Sequence, residues 1–92
     1  MRTLSTKITL YASDCHSLKE KRQILQSVIT KTRNKFNASI SEVDFQEDHQ
    51  TMAIGVAVVS GSYTHAQKML DEVVRFIENY AEAETIKIEN MD

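Results

Sequence analysis

The chain contains no proline, two glycines and one cysteine. Each scarcity excludes something. Without proline, slow X-Pro isomerisation cannot limit folding. With Gly55 and Gly61 alone, none of the usual glycine-rich phosphate-cradling loops can be written. Cys15 has no second cysteine to pair with, so no intrachain disulfide forms, and no metal-type cysteine spacing exists. A reducing, cytoplasmic setting is therefore expected. No stretch approaches the ~20 consecutive apolar residues of a membrane span. Residues 1–14 interleave polar side chains throughout and are expected not to act as a signal peptide, so no membrane association is expected.

What is present is an ordinary globular composition in 92 residues, 41% hydrophobic and 26% charged, enough for one small core. The net charge of −2 argues against a generic nucleic-acid binder, but its distribution is uneven. Residues 1–37 carry eight Lys or Arg against two acids, whereas residues 38–92 carry three against eleven acids. If these halves also part in space, the molecule is dipolar.

Periodicity places six elements. Residues 3–12 alternate, with Leu4, Ile8, Leu10 and Ala12 on one face and Ser5, Lys7, Thr9 and Tyr11 on the other, which reads as a half-buried strand. Ser17-Leu18-Lys19-Glu20 fits a capping box, in which Ser17 accepts from the Glu20 amide and Glu20 reaches back to the Ser17 amide. A helix is expected over 17–35, with Leu18, Leu25, Val28, Ile29, Thr32 and Phe36 in one arc. Residues 37–46 and 51–60 read as strands joined by the polar turn Glu47-Asp48-His49-Gln50, an antiparallel hairpin. Ser62 can cap a second helix over 63–80, and residues 85–89 alternate as a closing strand. The order βαββαβ predicts a single ferredoxin-like α+β domain: a four-stranded antiparallel sheet with two helices on one face. Right-handed crossovers put strands one and three in the centre and leave the reverse face open.

The second strand breaks its own pattern. Ala38 and Ile40 point toward the helices, and continuing in step sends Glu42 and Asp44 the same way. A bulge near Ser41 would instead return Val43 and Phe45 to the core. Lys21 bears on the choice, because it falls inside the apolar arc of the first helix, at the end of the sheet where the second strand finishes. Buried charges persist in pairs, so Lys21 and Glu42 are a candidate structural pair, with a Lys21 that snorkels to solvent as the competing reading. The continuous register also gathers Tyr11, Val43, Phe45, Ala53, Gly55 and Ala57 on the open face, a candidate interface for a homodimer.

Candidate chemistry is sparse. His16, His49 and His65 fall at helix starts and in a turn, without ligand spacing, so loop histidines are the expected reading and neither a metal nor a cofactor is implied. Cys15 lies near a helix start but lacks an evident base, and no enzymatic activity is expected. The basic cluster stands out: the first helix holds six of the eleven Lys and Arg residues. Lys19, Arg22 and Arg33 are expected on one solvent side, with Lys31 and Lys35 on a flank. Such a face can bind phosphates electrostatically, or be a plain solvated helix face. Base stacking on the sheet is not expected, because Ala53, Gly55, Ala57 and Val59 stand where RNA-recognition domains of this topology carry aromatics.

The blocks His16-Ser-Leu-Lys-Glu-Lys-Arg22, Phe36-Asn-Ala-Ser-Ile-Ser-Glu-Val-Asp44, Ile54-Gly-Val-Ala-Val-Val-Ser60 and Leu70-Asp-Glu-Val-Val-Arg-Phe-Ile-Glu78 resemble the bacterial YlxP-like proteins, a family of unknown function. The resemblance covers nearly the whole chain. It implies a small cytoplasmic ferredoxin-like protein, often encoded beside ribosome-maturation factors and loosely described as a probable ribosome-binding factor. Matching motif positions are Ser17, Leu18, Lys19, Lys21, Arg22, Ser39 and Glu42, with no active-site role attached. The leading expectation is a non-catalytic protein that binds ribosomal RNA or the small ribosomal subunit. The alternative is a protein-interaction or homo-oligomerisation module acting through the open sheet face, without nucleic acid.

Overall fold

The computed structural model describes residues 1–91, in six elements: β1 (Arg2–Tyr11), α1 (Leu18–Lys35), β2 (Ser39–Asp44), β3 (Thr51–Ser60), α2 (Tyr63–Tyr80) and β4 (Glu84–Asn90). The strands form one antiparallel sheet in the order β2-β3-β1-β4. This is the expected α+β, ferredoxin-like arrangement, with the alternating β1 and β3 at its centre.

Cross-strand partners share a face, so the register separates the two sides. Leu4, Thr6, Ile8 and Leu10 pair with Val58, Val56, Ile54 and Met52, and all eight are buried beneath the helices. Thr6 is polar among them, and its hydroxyl donates to the Glu89 carbonyl at 2.8 Å, which removes the cost of burying it. The helices lie unevenly on this layer. Ala66, Leu70, Val73 and Ile77 seat α2 over β1 and β3, while α1 packs on β2 and on α2. Neither helix packs extensively on β4.

Both helix starts are capped as the serines require. Ser17 Oγ accepts from the Glu20 amide at 3.1 Å and Ser62 Oγ from the His65 amide at 3.3 Å, each worth about 1 kcal/mol. The capping box differs in one bond. Glu20 Oε2 accepts from the His16 amide at 3.3 Å, one residue before the amide expected, so the side chain braces the approach to the helix. Between the helices, Phe76 meets Phe36 edge to face and stacks on Tyr80, both at 5.6 Å, and the Tyr80 and Ser27 hydroxyls hydrogen-bond at 2.7 Å.

Candidate functional site

Three surfaces carry the residues singled out by the sequence: the junction of α1 with the β2–β3 hairpin, the open face of the sheet, and the outer side of α1.

At the junction, Lys21 is buried, with 1% of its surface exposed. Its Nζ lies 3.1 Å from Glu42 Oε2 and donates to the Phe45 carbonyl at 2.5 Å and the Asp48 carbonyl at 2.6 Å. Glu42 pairs in register with the buried Ile54, so it points under the helices. Its Oε2 is buried, and no donor meets it in hydrogen-bonding geometry among the described residues. The Lys21 ammonium at ion-pair distance is therefore what compensates its charge. The two carbonyls explain the hairpin loop. Phe45 has φ 60°, a left-handed conformation that costs a non-glycine residue about 1–2 kcal/mol. Hydrogen bonds to a charged donor return about 1.5–3 kcal/mol each, so the ammonium outweighs the strain. Asp48 completes the loop, its Oδ1 accepting from the Gln50 and Thr51 amides at 2.8 and 2.9 Å. Those two bonds, with Lys21 and His49 nearby, hold its carboxyl below the ordinary value.

The register of β2 does shift, between Glu42 and Asp44 rather than near Ser41. Glu42 thus stays inward, as the continuous reading has it, but Asp44 does not follow. It pairs with Ala53, on the open side, where its Oδ2 meets Lys7 Nζ at 3.1 Å. The Phe45 amide and then Lys7 lower its pKa. Lys7 reaches across β3 to do this, passing the small residues Ala53 and Gly55, and its Nζ lies 6.0 Å from the Phe45 ring centroid. Val43 leans over the same strand: a Cβ on Gly55 would stand 2.8 Å from Val43 Cγ1. The expected interface is corrected accordingly. Ala53 has no exposed surface and can meet no partner. Gly55 is half covered by Val43. Tyr11, Val43 and Phe45 remain exposed, and Ala57 is half-buried. The reverse face is uncovered by any other element but is crossed by an ion pair, so its apolar surface is not continuous.

On α1 the five exposed basic residues divide. Arg33 Nη2 donates to the Ile40 carbonyl at 2.9 Å, which ties the side chain to β2. Lys35 Nζ lies 5.2 and 5.8 Å from the Phe76 and Phe36 ring centroids, a cation–π site on the α2 side. Arg33 therefore does not project freely beside Lys19 and Arg22, and Lys35 does not stand free on the flank. Lys19, Arg22 and Lys31 are exposed on the outer side of the helix, interspersed with Gln23, Gln26 and Thr30. None of the three basic residues has a carboxylate partner among the described residues. Sequence explains why: no Asp or Glu occurs between Lys21 and Ser41, and Glu20 is engaged at the His16 amide. At 1.5 Å per residue, Lys19 and Lys31 are about 18 Å apart along the axis.

The remaining candidates do not converge. His16, His49 and His65 are exposed, and no group of three or more metal-ligating side chains is assembled among the described residues. Cys15 is buried, its thiol 3.5 Å from the Ser17 carbonyl. Among the described residues no helix is long and apolar enough to cross a membrane. The hairpin carbonyls around Lys21 and the exposed Ile86 and Ile88 of β4 went unmarked in the sequence. Main-chain acceptors leave no residue signature, and alternation alone does not say how far a helix covers an edge strand.

The geometry defines a small ferredoxin-like α+β protein with a basic helix face. The family described as "Protein of unknown function (DUF503)" matches residues 3–90. The chain belongs to that family. It is similar to the uncharacterized protein YlxP of Bacillus subtilis (strain 168), with 44% identity over 71 residues, 77% of each chain.

Proposed function

We propose that this is a non-catalytic polyanion-binding protein whose target is structured RNA. The observation that carries the reading is the basic outer side of α1: Lys19, Arg22 and Lys31 are exposed over about 18 Å of the helix, and none has a carboxylate partner among the described residues. Acids four residues away would pair with such a face and stabilise the helix. This one interleaves the cations with Gln23, Gln26 and Thr30, which can hydrogen-bond phosphate and ribose oxygens. The acids are concentrated instead in residues 38–92, which leaves α1 the most basic element of the chain.

Ribosomal RNA, in the small subunit, is the target to try first, because the family resemblance associates the chain with ribosome maturation. Labelled ribosomal RNA and purified small subunits are titrated with the protein at low and moderate salt. Binding that weakens steeply with salt and is lost in Lys19→Glu/Arg22→Glu supports the proposal. No binding even at low salt rejects it. The exposed Tyr11, Val43 and Phe45 favour a second reading, a protein contact on the open face. In that case Val43→Asp, not the α1 double variant, releases the partner.

A further inference from the structure

The two edges of the sheet are finished differently. At β2, Arg33 donates to the Ile40 carbonyl, and the register shift at Val43 bends the strand out of line. Both features obstruct a further strand. At β4, irregularity is confined to the Leu10 end, and Lys87 to Asn90 pair regularly with β1. The Met91 amide donates to the Ser5 carbonyl at 3.0 Å, so in antiparallel alternation Glu89 and Lys87 also turn their backbones toward β1. Ile88 and Asn90 then turn theirs outward, where no strand follows among the described residues. Ile88 pairs with the buried Ile8, so its side chain lies on the helix side, yet it is 48% exposed, and Ile86 is 53% exposed. With Ile86 and Ile88 exposed and the main-chain groups of Ile88 and Asn90 turned outward, this edge is an open template for pairing.

We propose that β4 pairs antiparallel with β4 of a second copy of this chain, about a dyad at Ile88. Charge selects both the occupant and the register. Centring on Ile88 sets Lys87 of each copy opposite Glu89 of the other, two opposite-charge pairs on the open side. Ile88 meets Ile88 on the helix side, and Ile86 meets Asn90. Centring one residue earlier would set Lys87 against Lys87, which is unfavourable. Within one chain Lys87 Nζ and Glu89 Oε2 are already 3.6 Å apart, with Lys87 largely solvated and Glu89 about one-third exposed, so both ends of each new pair reach the surface. The product is a continuous eight-stranded sheet with all four helices on the same side, and the two α1 stripes at its outer ends.

The test is sedimentation equilibrium over a dilution series of the full chain and three variants, each checked for an unchanged melting temperature of the monomer. Wild type is expected to show a monomer–dimer equilibrium. Lys87→Glu, which makes both cross-copy pairs repulsive, is expected to weaken it by about tenfold. Lys87→Glu/Glu89→Lys, which reverses both pairs together, is expected to restore it. Ile88→Lys is expected to abolish it. A monomeric mass at every concentration overturns the proposal. So does a dimer that ignores Lys87→Glu, that the double swap fails to restore, or that dissociates only on Val43→Asp.

Discussion

Lys21 Nζ and Glu42 Oε2 stand 3.1 Å apart beneath the start of α1, twenty-one residues apart in the chain and each the only misplaced charge on its element's buried face. The pair joins helix to hairpin, because the same ammonium holds the Phe45 and Asp48 carbonyls. Replacing it by Lys21→Met leaves Glu42 without a counter-ion and the left-handed Phe45 without its compensation. The expected cost is about 3 kcal/mol, toward the low end for a broken buried pair because Glu42 is one-fifth exposed. Urea unfolding measures it. Lys21→Met/Glu42→Leu should recover part of the loss, since no orphan charge remains. An unchanged or raised midpoint for the single variant would show that the pair contributes no stability.

Val43 and Gly55 are expected to be energetically coupled. Gly55→Ala introduces a Cβ 2.8 Å from Val43 Cγ1, so β2 or the Val43 side chain must yield. A loss of about 1 kcal/mol is expected, as for mild overpacking. In a Val43→Ala background the same substitution should be neutral or stabilising, through the lost freedom of the unfolded chain. A double-mutant cycle by denaturant unfolding reads the coupling, and additivity would contradict it.

Acid is expected to loosen the hairpin loop. Asp44 and Asp48 both titrate below their ordinary 3.8, through the Phe45 amide and Lys7 for the first and the Gln50 and Thr51 amides for the second. A depressed carboxyl pKa contributes stability that is fully present above the unfolded value and is lost as pH falls through the folded one. Stability should therefore be flat near neutrality on their account and decline only below 3.8. Asp48→Asn keeps the amide acceptor but removes the charge, and should make that decline shallower. Amide hydrogen exchange in residues 45–51 against pH is the direct readout.

Salt dependence should count the free cations on α1. With three phosphate contacts, from Lys19, Arg22 and Lys31, the slope of log K against log salt for RNA is expected near −2 to −3. Each neutralisation among these residues should reduce it by about 1. Arg33→Gln should leave the slope nearly unchanged and lower stability instead, because its guanidinium is held at the Ile40 carbonyl. Fluorescence anisotropy across a salt series decides between them.

The elements and their order were legible in the chain because burial imposes period two on Leu4 through Leu10 and a helical arc on Leu25 through Thr32, whatever the rest of the molecule does. The serine caps were legible because a cap is local. The Lys21–Glu42 pairing was legible for a different reason: each residue breaks its own element's pattern, and topology brings the two breaks to one end of the sheet. What periodicity could not convey were relationships among groups far apart in sequence. Only the tertiary structure decided that β2 slips at Val43, that Asp44 turns to Lys7, that Ala53 is sealed, and that Arg33 and Lys35 are spent on a carbonyl and two rings. It also decided that α2 sits over β1 and β3 and leaves Ile86 and Ile88 bare. Side-chain pattern records which face of an element is covered. How far its neighbour reaches, and which main-chain oxygen a cation finds, depend on packing that no single segment encodes.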